Sequence, residues 1–130
     1  MAGESIIQVE NFTAAYDGQI ILSQVSFEVY SGEVFVILGG SGCGKSTLLK
    51  HMIGLYRPAA GTIRIDGADV VGAERQERSE ILRKFGVMYQ GGALFGSMTL
   101  LENICLPLEE FTDLPPEAIR LIALMKLKQV

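Results

Sequence analysis

The amino-acid sequence predicts an α/β fold, and three adjacent features carry that expectation. Val34-Phe35-Val36-Ile37-Leu38 is an unbroken apolar run, mostly β-branched or aromatic, as in a parallel strand covered on both faces. Gly39-Gly40-Ser41-Gly42-Cys43-Gly44-Lys45-Ser46-Thr47 follows at once and contains the pattern G-x-x-x-x-G-K-[ST]. After it Leu48, Leu49, Met52, Ile53 and Leu55 recur at helical spacing, with Gly54 placed to end the helix. Strand, glycine loop and helix in that order are the context in which this pattern cradles phosphate.

The other elements follow from local chemistry. Ile6-Ile7-Gln8-Val9 begins a strand that extends towards Tyr16 and ends in an Asp17-Gly18 turn. Val25-Ser26-Phe27-Glu28-Val29 alternates apolar and polar residues, which suits a half-buried strand. Ser31-Gly32-Glu33 connects it tightly to the apolar run. Beyond the glycine-loop helix, on which His51 is expected to be exposed, Arg57-Pro58-Ala59-Ala60-Gly61 breaks the chain. Thr62-Ile63-Arg64-Ile65 is a short strand and Asp66-Gly67 a second turn. Residues 74–84 predict a charged amphipathic helix, with Glu74 four residues before Arg78 and Glu80 four before Lys84. Phe85-Gly86-Val87-Met88-Tyr89-Gln90 is a second candidate core strand, followed by Gly91-Gly92. Thr99-x-x-Glu102 is a capping box for a short helix that Pro107 should stop. Pro115-Pro116-Glu117 opens a last helix, with Ile119, Ile122, Met125 and Leu127 as its apolar residues, still running at Val130.

Composition narrows the class. The 130 residues are 48% hydrophobic and only 20% charged, so part of the apolar surface suits a partner. A net charge of −4 gives no support for nucleic-acid binding. Cys43 and Cys105 lack paired spacing, which fits a reducing, cytosolic setting. Met1-Ala2-Gly3-Glu4-Ser5 is polar and acidic, unlike a secretory leader, and no run approaches the roughly 18 apolar residues that span a bilayer.

In the loop, the glycines let backbone N–H groups turn inward around an anion. Lys45 can reach the β- and γ-phosphates, the Ser46 hydroxyl can ligate Mg²⁺, and the following helix directs its positive end at the same phosphates. Cys43 occupies a variable position of the pattern. Tyr16 either packs on Phe12 at a strand end or stacks on a nucleobase. Gln90 is either a solvated loop residue or, at the carboxyl end of a core strand, a polar group facing the γ-phosphate. Leu94 and Phe95 are either core or a docking surface.

Taken together, these residues resemble the nucleotide-binding domain of ABC transporters, a P-loop NTPase core with an antiparallel β subdomain. The resemblance implies that Tyr16 is the adenine-stacking A-loop aromatic and that residues 39–46 are the Walker A motif, with Gly39, Gly40, Ser41, Gly42, Cys43, Gly44, Lys45, Ser46 and Thr47 around the nucleotide. Gln90 then corresponds to the Q-loop glutamine that contacts Mg²⁺, so Lys45 and Gln90 would serve catalysis while Ser46 and Gln90 hold the metal. Residues 1–33 would form the antiparallel β region and A-loop, 34–90 the P-loop core, and 91–130 the Q-loop with the start of the helical subdomain.

The segment Met88-Tyr89-Gln90-Gly91-Gly92-Ala93-Leu94-Phe95-Gly96-Ser97-Met98-Thr99, with Leu106-Pro107-Leu108 after it, is similar to the ATPases of Mla-type and Mce-associated lipid transporters. That implies ATP and Mg²⁺ as cofactors, a membrane permease contacted through Leu94 and Phe95, and a second ATPase subunit completing a dimer. It also implies a peripheral location on the cytoplasmic face of the inner membrane. The resemblance covers the first half or so of such a domain. No Leu-Ser-Gly-Gly-Gln signature, Walker B Asp-Glu pair or downstream switch histidine is present in the 130 residues. The expectation is a polypeptide that binds nucleotide weakly and does not hydrolyse it. Another ABC importer or exporter, or a non-catalytic nucleotide-binding fragment, is the alternative; a small-molecule kinase would need an arginine-rich lid that is not recognisable here.

Overall fold

The computed structural model describes residues 3–130; Met1 and Ala2, at the head of the polar N-terminal stretch, lie outside the described residues. The chain divides into two units, Met1–Gly86 and Val87–Val130.

The first unit is built on a four-stranded antiparallel sheet of order β2-β1-β3-β4. Its strands are β1 (Ser5–Tyr16), β2 (Gln19–Tyr30), β3 (Ala60–Ile65) and β4 (Ala68–Asp69). Both hairpins close through Asp-Gly. Asp17 and Gly18 have φ of 48° and 78°, and Asp66 and Gly67 have 52° and 77°, the paired positive φ values that a two-residue turn with right-handed strand twist demands. β1 carries the central pairings, with Val9 opposite Phe27 on one side and Ile63 on the other. Its register shifts around Asn11, which has φ of 49°. There Gly61 (φ 86°) passes so close that a Cβ would collide with the backbone of Glu10 and Asn11, so only glycine fits.

Helices α1 (Lys45–Met52) and α2 (Arg75–Leu82) complete this unit. Leu48 of α1 and Ile81 of α2 join Val9, Phe12, Ala14, Ile63 and Val70 in one buried cluster. Each large apolar side chain so buried contributes on the order of 1.5–3 kcal/mol. α1 ends in a Schellman motif: Gly54 (φ 73°) donates to the His51 carbonyl at 2.9 Å, and Leu55 to the Lys50 carbonyl at 2.9 Å. Lys84 pairs with Asp66 of the β3–β4 turn rather than with Glu80 as its spacing suggests.

The second unit contains α3 (Leu100–Phe111) and α4 (Pro116–Lys128), which pack on each other. Thr99 caps α3 with a complete capping box: its N–H donates to Glu102 Oε2 at 2.6 Å and its hydroxyl accepts from the Glu102 N–H at 3.2 Å. α4 buries Ile119 and Ala123 and half-buries Ile122 and Leu127, as expected of its apolar residues, whereas Met125 is exposed. It ends at Lys128, with Gln129 as its C-cap.

Three expectations are corrected. Residues 34–38 form no strand, and Val34 and Leu38 are 89% and 87% exposed. Residues 85–90 form none either, and Met88 is exposed. A parallel central strand takes its hydrogen bonds from neighbours far away in sequence. Among the described residues the sheet is antiparallel throughout and offers neither run a partner; Phe35 instead stacks on Phe27 at 4.9 Å. Pro107 does not stop α3, which continues to Phe111. The proline forfeits one hydrogen bond, to the Asn103 carbonyl, and a helix capped at its start and packed on α4 tolerates that loss.

Candidate functional site

The glycine loop runs into α1 through two left-handed glycines, Gly42 (φ 80°) and Gly44 (φ 100°), the second serving as the helix N-cap. No side chain caps that N-terminus. The intrahelical ladder begins with Leu48 N–H donating to the Gly44 carbonyl at 2.9 Å, which leaves the N–H groups of Lys45, Ser46 and Thr47 outside it. These donors, with the positive end of the helix dipole, face whatever the loop surrounds.

Lys45 folds back across the same loop. Its Nζ donates to the carbonyl oxygens of Gly39 and Gly40, each at 2.6 Å, and lies 3.4 Å from Cys43 Sγ. The loop is therefore held as a closed turn by its own ammonium. A Cβ at Gly39 would collide with Cys43 Sγ, and one at Gly44 would lie 2.9 Å from Leu22 Cγ, whereas Gly40 and Gly42 look onto open space. Uncommitted N–H donors and a movable cation suit a phosphate chain, which would take the place that the Lys45 side chain now covers. The Ser46 side chain is exposed in the first turn of α1, an oxygen donor of the kind Mg²⁺ accepts.

Tyr16 stands at the end of β1 beside the Asp17-Gly18 turn and is 56% exposed. It does not pack on Phe12. Phe12 is fully buried against His51, with ring centroids 5.0 Å apart, while Tyr16 meets Tyr56 edge-on at 6.1 Å. The neighbouring Tyr56 raises the Tyr16 phenol above its ordinary value of 10.0. His51 is another correction, because it is buried rather than exposed. Its Nδ1 lies 2.7 Å from the Thr47 carbonyl, which can only accept, so Nδ1 carries the proton. The spacing from Leu48 to His51 and Met52 puts His51 on the apolar face of α1, and that was the available signal.

Gln90, Leu94 and Phe95 belong to the second unit, whereas Tyr16 and residues 39–47 belong to the first. Gln90 lies in an irregular exposed stretch, and Leu94 and Phe95 are exposed rather than core. Asn103 on α3 holds the loop that carries Phe95. Its Oδ1 accepts from the Phe95 N–H at 2.8 Å, and its Nδ2 lies 3.1, 3.3 and 2.9 Å from the carbonyls of Phe95, Met98 and Thr99. Sequence reasoning passed over both Asn103 and Tyr56. An amide one residue beyond a capping box, and an aromatic two residues after a helix-ending glycine, were the signs available.

The family profile described as "ABC transporter" matches residues 22–130. The chain is 44% identical over 95% of its length to "Probable ribonucleotide transport ATP-binding protein mkl" of Mycobacterium leprae. It is 36% identical over 98% to "Intermembrane phospholipid transport system ATP-binding protein MlaF" of Haemophilus influenzae, and 41% over 81% to "Putrescine transport ATP-binding protein PotG" of Escherichia coli. It spans 36%, 48% and 26% of those relatives' lengths respectively. The ATP-binding cassette MJ0796, solved as a dimer in a post-hydrolysis state bound to ADP and Pi, superposes with a TM-score of 0.85 at 32% identity. That match covers 95% of this chain and 56% of the cassette. Among the described residues no helix is long and apolar enough to cross a membrane. With its glycine loop, its antiparallel sheet and these relatives, the chain belongs to the ABC transporter family, as part of an ATP-binding domain.

Proposed function

We propose that the protein is the ATP-binding subunit of an ABC transporter that couples ATP binding and hydrolysis to lipid movement through a membrane permease. The observation that carries the nucleotide assignment is the uncapped start of α1 facing a loop closed by its own lysine. In this reading the Lys45 ammonium exchanges the Gly39 and Gly40 carbonyls for phosphate oxygens. The loop and helix N–H groups hold the remaining phosphate oxygens, and Tyr16 offers a ring face to the adenine. Ser46 would supply an oxygen to Mg²⁺, and the family resemblance gives Gln90 the same role; the ion would neutralise phosphate charge.

Positioning and charge neutralisation are most of what a protein contributes to phosphoryl transfer. The 130 residues hold no Asp-Glu pair after an apolar run, and in this reading none of them is the base for the attacking water. Weak Mg-ATP binding without turnover by this polypeptide follows. A second ATPase subunit completes the site in this reading, in line with the dimeric cassette MJ0796. The exposed Leu94 and Phe95 face the permease, with the subunit on the cytoplasmic face of the membrane.

The lipid assignment rests on residues 88–99 and on the similarity of 98% of this chain to 48% of MlaF. The higher identity to the ribonucleotide-transport protein favours a second reading, an importer of another solute. Reconstitution of the full-length subunit with its permease separates them. Phospholipid should stimulate phosphate release, and stimulation by ribonucleotide or putrescine instead would overturn the lipid assignment.

A further inference from the structure

Tyr56 sits just beyond the Schellman motif of α1 and connects two parts of the site that the backbone joins only distantly. The Thr47 carbonyl, at the end of the glycine loop, accepts from His51 Nδ1 at 2.7 Å. The His51 ring meets Tyr56 at 5.7 Å with an interplanar angle of 62°, and Phe12 braces His51 at 5.0 Å. Tyr56 in turn meets Tyr16 at 6.1 Å and 76°. Lys50 Nζ lies 5.7 Å from the Tyr56 ring centroid, a further contact on that ring. Every spacing falls in the range where aromatic pairs attract, and each angle is of the edge-to-face kind. The near-perpendicular contact engages at most one face of Tyr16, which stays 56% exposed.

We propose that Tyr56 is a positioning residue that sets where the Tyr16 ring stands relative to the phosphate loop, and so which base-to-triphosphate span the site accepts. This rests on the reading that Tyr16 stacks on the nucleobase. Without the Tyr56 contact, Tyr16 is an exposed ring beside a hairpin turn with one aromatic neighbour fewer to hold it. Ordering it then falls to the ligand, and affinity drops by the cost of fixing one aromatic rotamer. Inorganic tripolyphosphate lacks a base and uses only the loop, so its binding is indifferent to Tyr56.

The test is calorimetric titration of Mg-ATP and of Mg-tripolyphosphate into the wild-type chain and into Tyr56→Ala, Tyr56→Phe and Tyr16→Ala. Tyr56→Ala should weaken ATP binding by about threefold to tenfold, the scale of one aromatic pair. It should leave tripolyphosphate affinity unchanged, and Tyr56→Phe, which keeps the ring, should retain most of the ATP affinity. Equal losses for ATP and tripolyphosphate would mark Tyr56 as merely structural and overturn the proposal. Unchanged ATP affinity in Tyr56→Ala alongside a loss in Tyr16→Ala would overturn it while leaving base stacking intact. Unchanged ATP affinity in Tyr16→Ala would overturn the stacking reading and the proposal with it.

Discussion

The Lys45 ammonium lies 2.6 Å from the carbonyl oxygen of Gly39, six residues back in the loop it is expected to serve. The lysine is thus already folded over the position a phosphate chain would take, and its carbonyl partners are easily exchanged for more negative oxygens. Charge-assisted hydrogen bonds of this type are worth roughly 1.5–3 kcal/mol each. Lys45→Ala is therefore expected to weaken Mg-ATP binding at least about tenfold. Because the lysine is only partly buried, its loss should scarcely move the urea midpoint. Calorimetric titration beside chemical denaturation checks both halves, and ATP affinity that survives the substitution would refute the assigned role.

Gly61 makes the opposite kind of demand, on stability rather than on binding. Its φ of 86° is strained for any L side chain, and a Cβ there would collide with backbone atoms of Glu10 and Asn11 that cannot rotate away. Gly61→Ala should destabilise the first unit by about 2–3 kcal/mol, the strain of a forbidden φ plus displacement of the β1–β3 pairing. Gly67→Ala, with a similar φ but open space around it, should cost less, about 1 kcal/mol. Equal urea midpoints for the two variants would show that the close approach is unimportant.

Acid should loosen the start of α3. The Thr99 N–H, and then the Thr99 hydroxyl, hold the Glu102 carboxyl below its ordinary value of 4.5. A folded-state pKa below the unfolded one adds stability that is complete above the unfolded value. That stability is lost as pH falls through the folded one. The capping contribution should thus be constant near neutrality and decline once pH drops below 4.5. Glu102→Gln removes the titration, so amide exchange at the first turn of α3 should become independent of pH over that window after correction for intrinsic rates. Thr99→Ala should cost about 1 kcal/mol near neutrality.

Much of the fold was legible wherever the determinants are local. Asp17-Gly18 and Asp66-Gly67 announced their hairpins because few residue pairs accept two successive positive φ values. Thr99 and Glu102 announced α3, and Pro115-Pro116 the start of α4, for similarly short-range reasons. The apolar runs at 34–38 and 85–90 predict core strands because hydrophobicity states a need for cover. It does not supply the partner that provides cover, and the antiparallel sheet formed here provides none. His51 departs from the expectation that a polar side chain on a helix faces water. The Thr47 carbonyl and the Phe12 ring satisfy it inside. In the site, residues 39–47 were legible as a unit, whereas the Tyr16 neighbour Tyr56 lies 40 positions away in sequence and no motif connects the two.

The exposed run at 34–38 has a consequence in solution. Val34 and Leu38 present apolar side chains with no strand beside them, a hazard that sheet edges share. The 130-residue chain should self-associate as its concentration rises, visible in sedimentation velocity as a growing mean coefficient. Replacing Val34 and Leu38 by lysine should suppress the effect. A single concentration-independent species for the wild-type chain would rule it out.

Asn103 gathers Phe95, Met98 and Thr99 onto a single amide at the start of α3. Whatever presses on the exposed Phe95 ring therefore meets a stiff lever instead of a compliant flap, because the loop cannot shift without carrying the first turn of the helix along. The load then travels down the axis to Pro107, where the missing N–H has already relieved the Asn103 carbonyl of its helical donor. One residue fastens the loop at its side chain and, through its backbone carbonyl, marks the place where the helical ladder is one bond short.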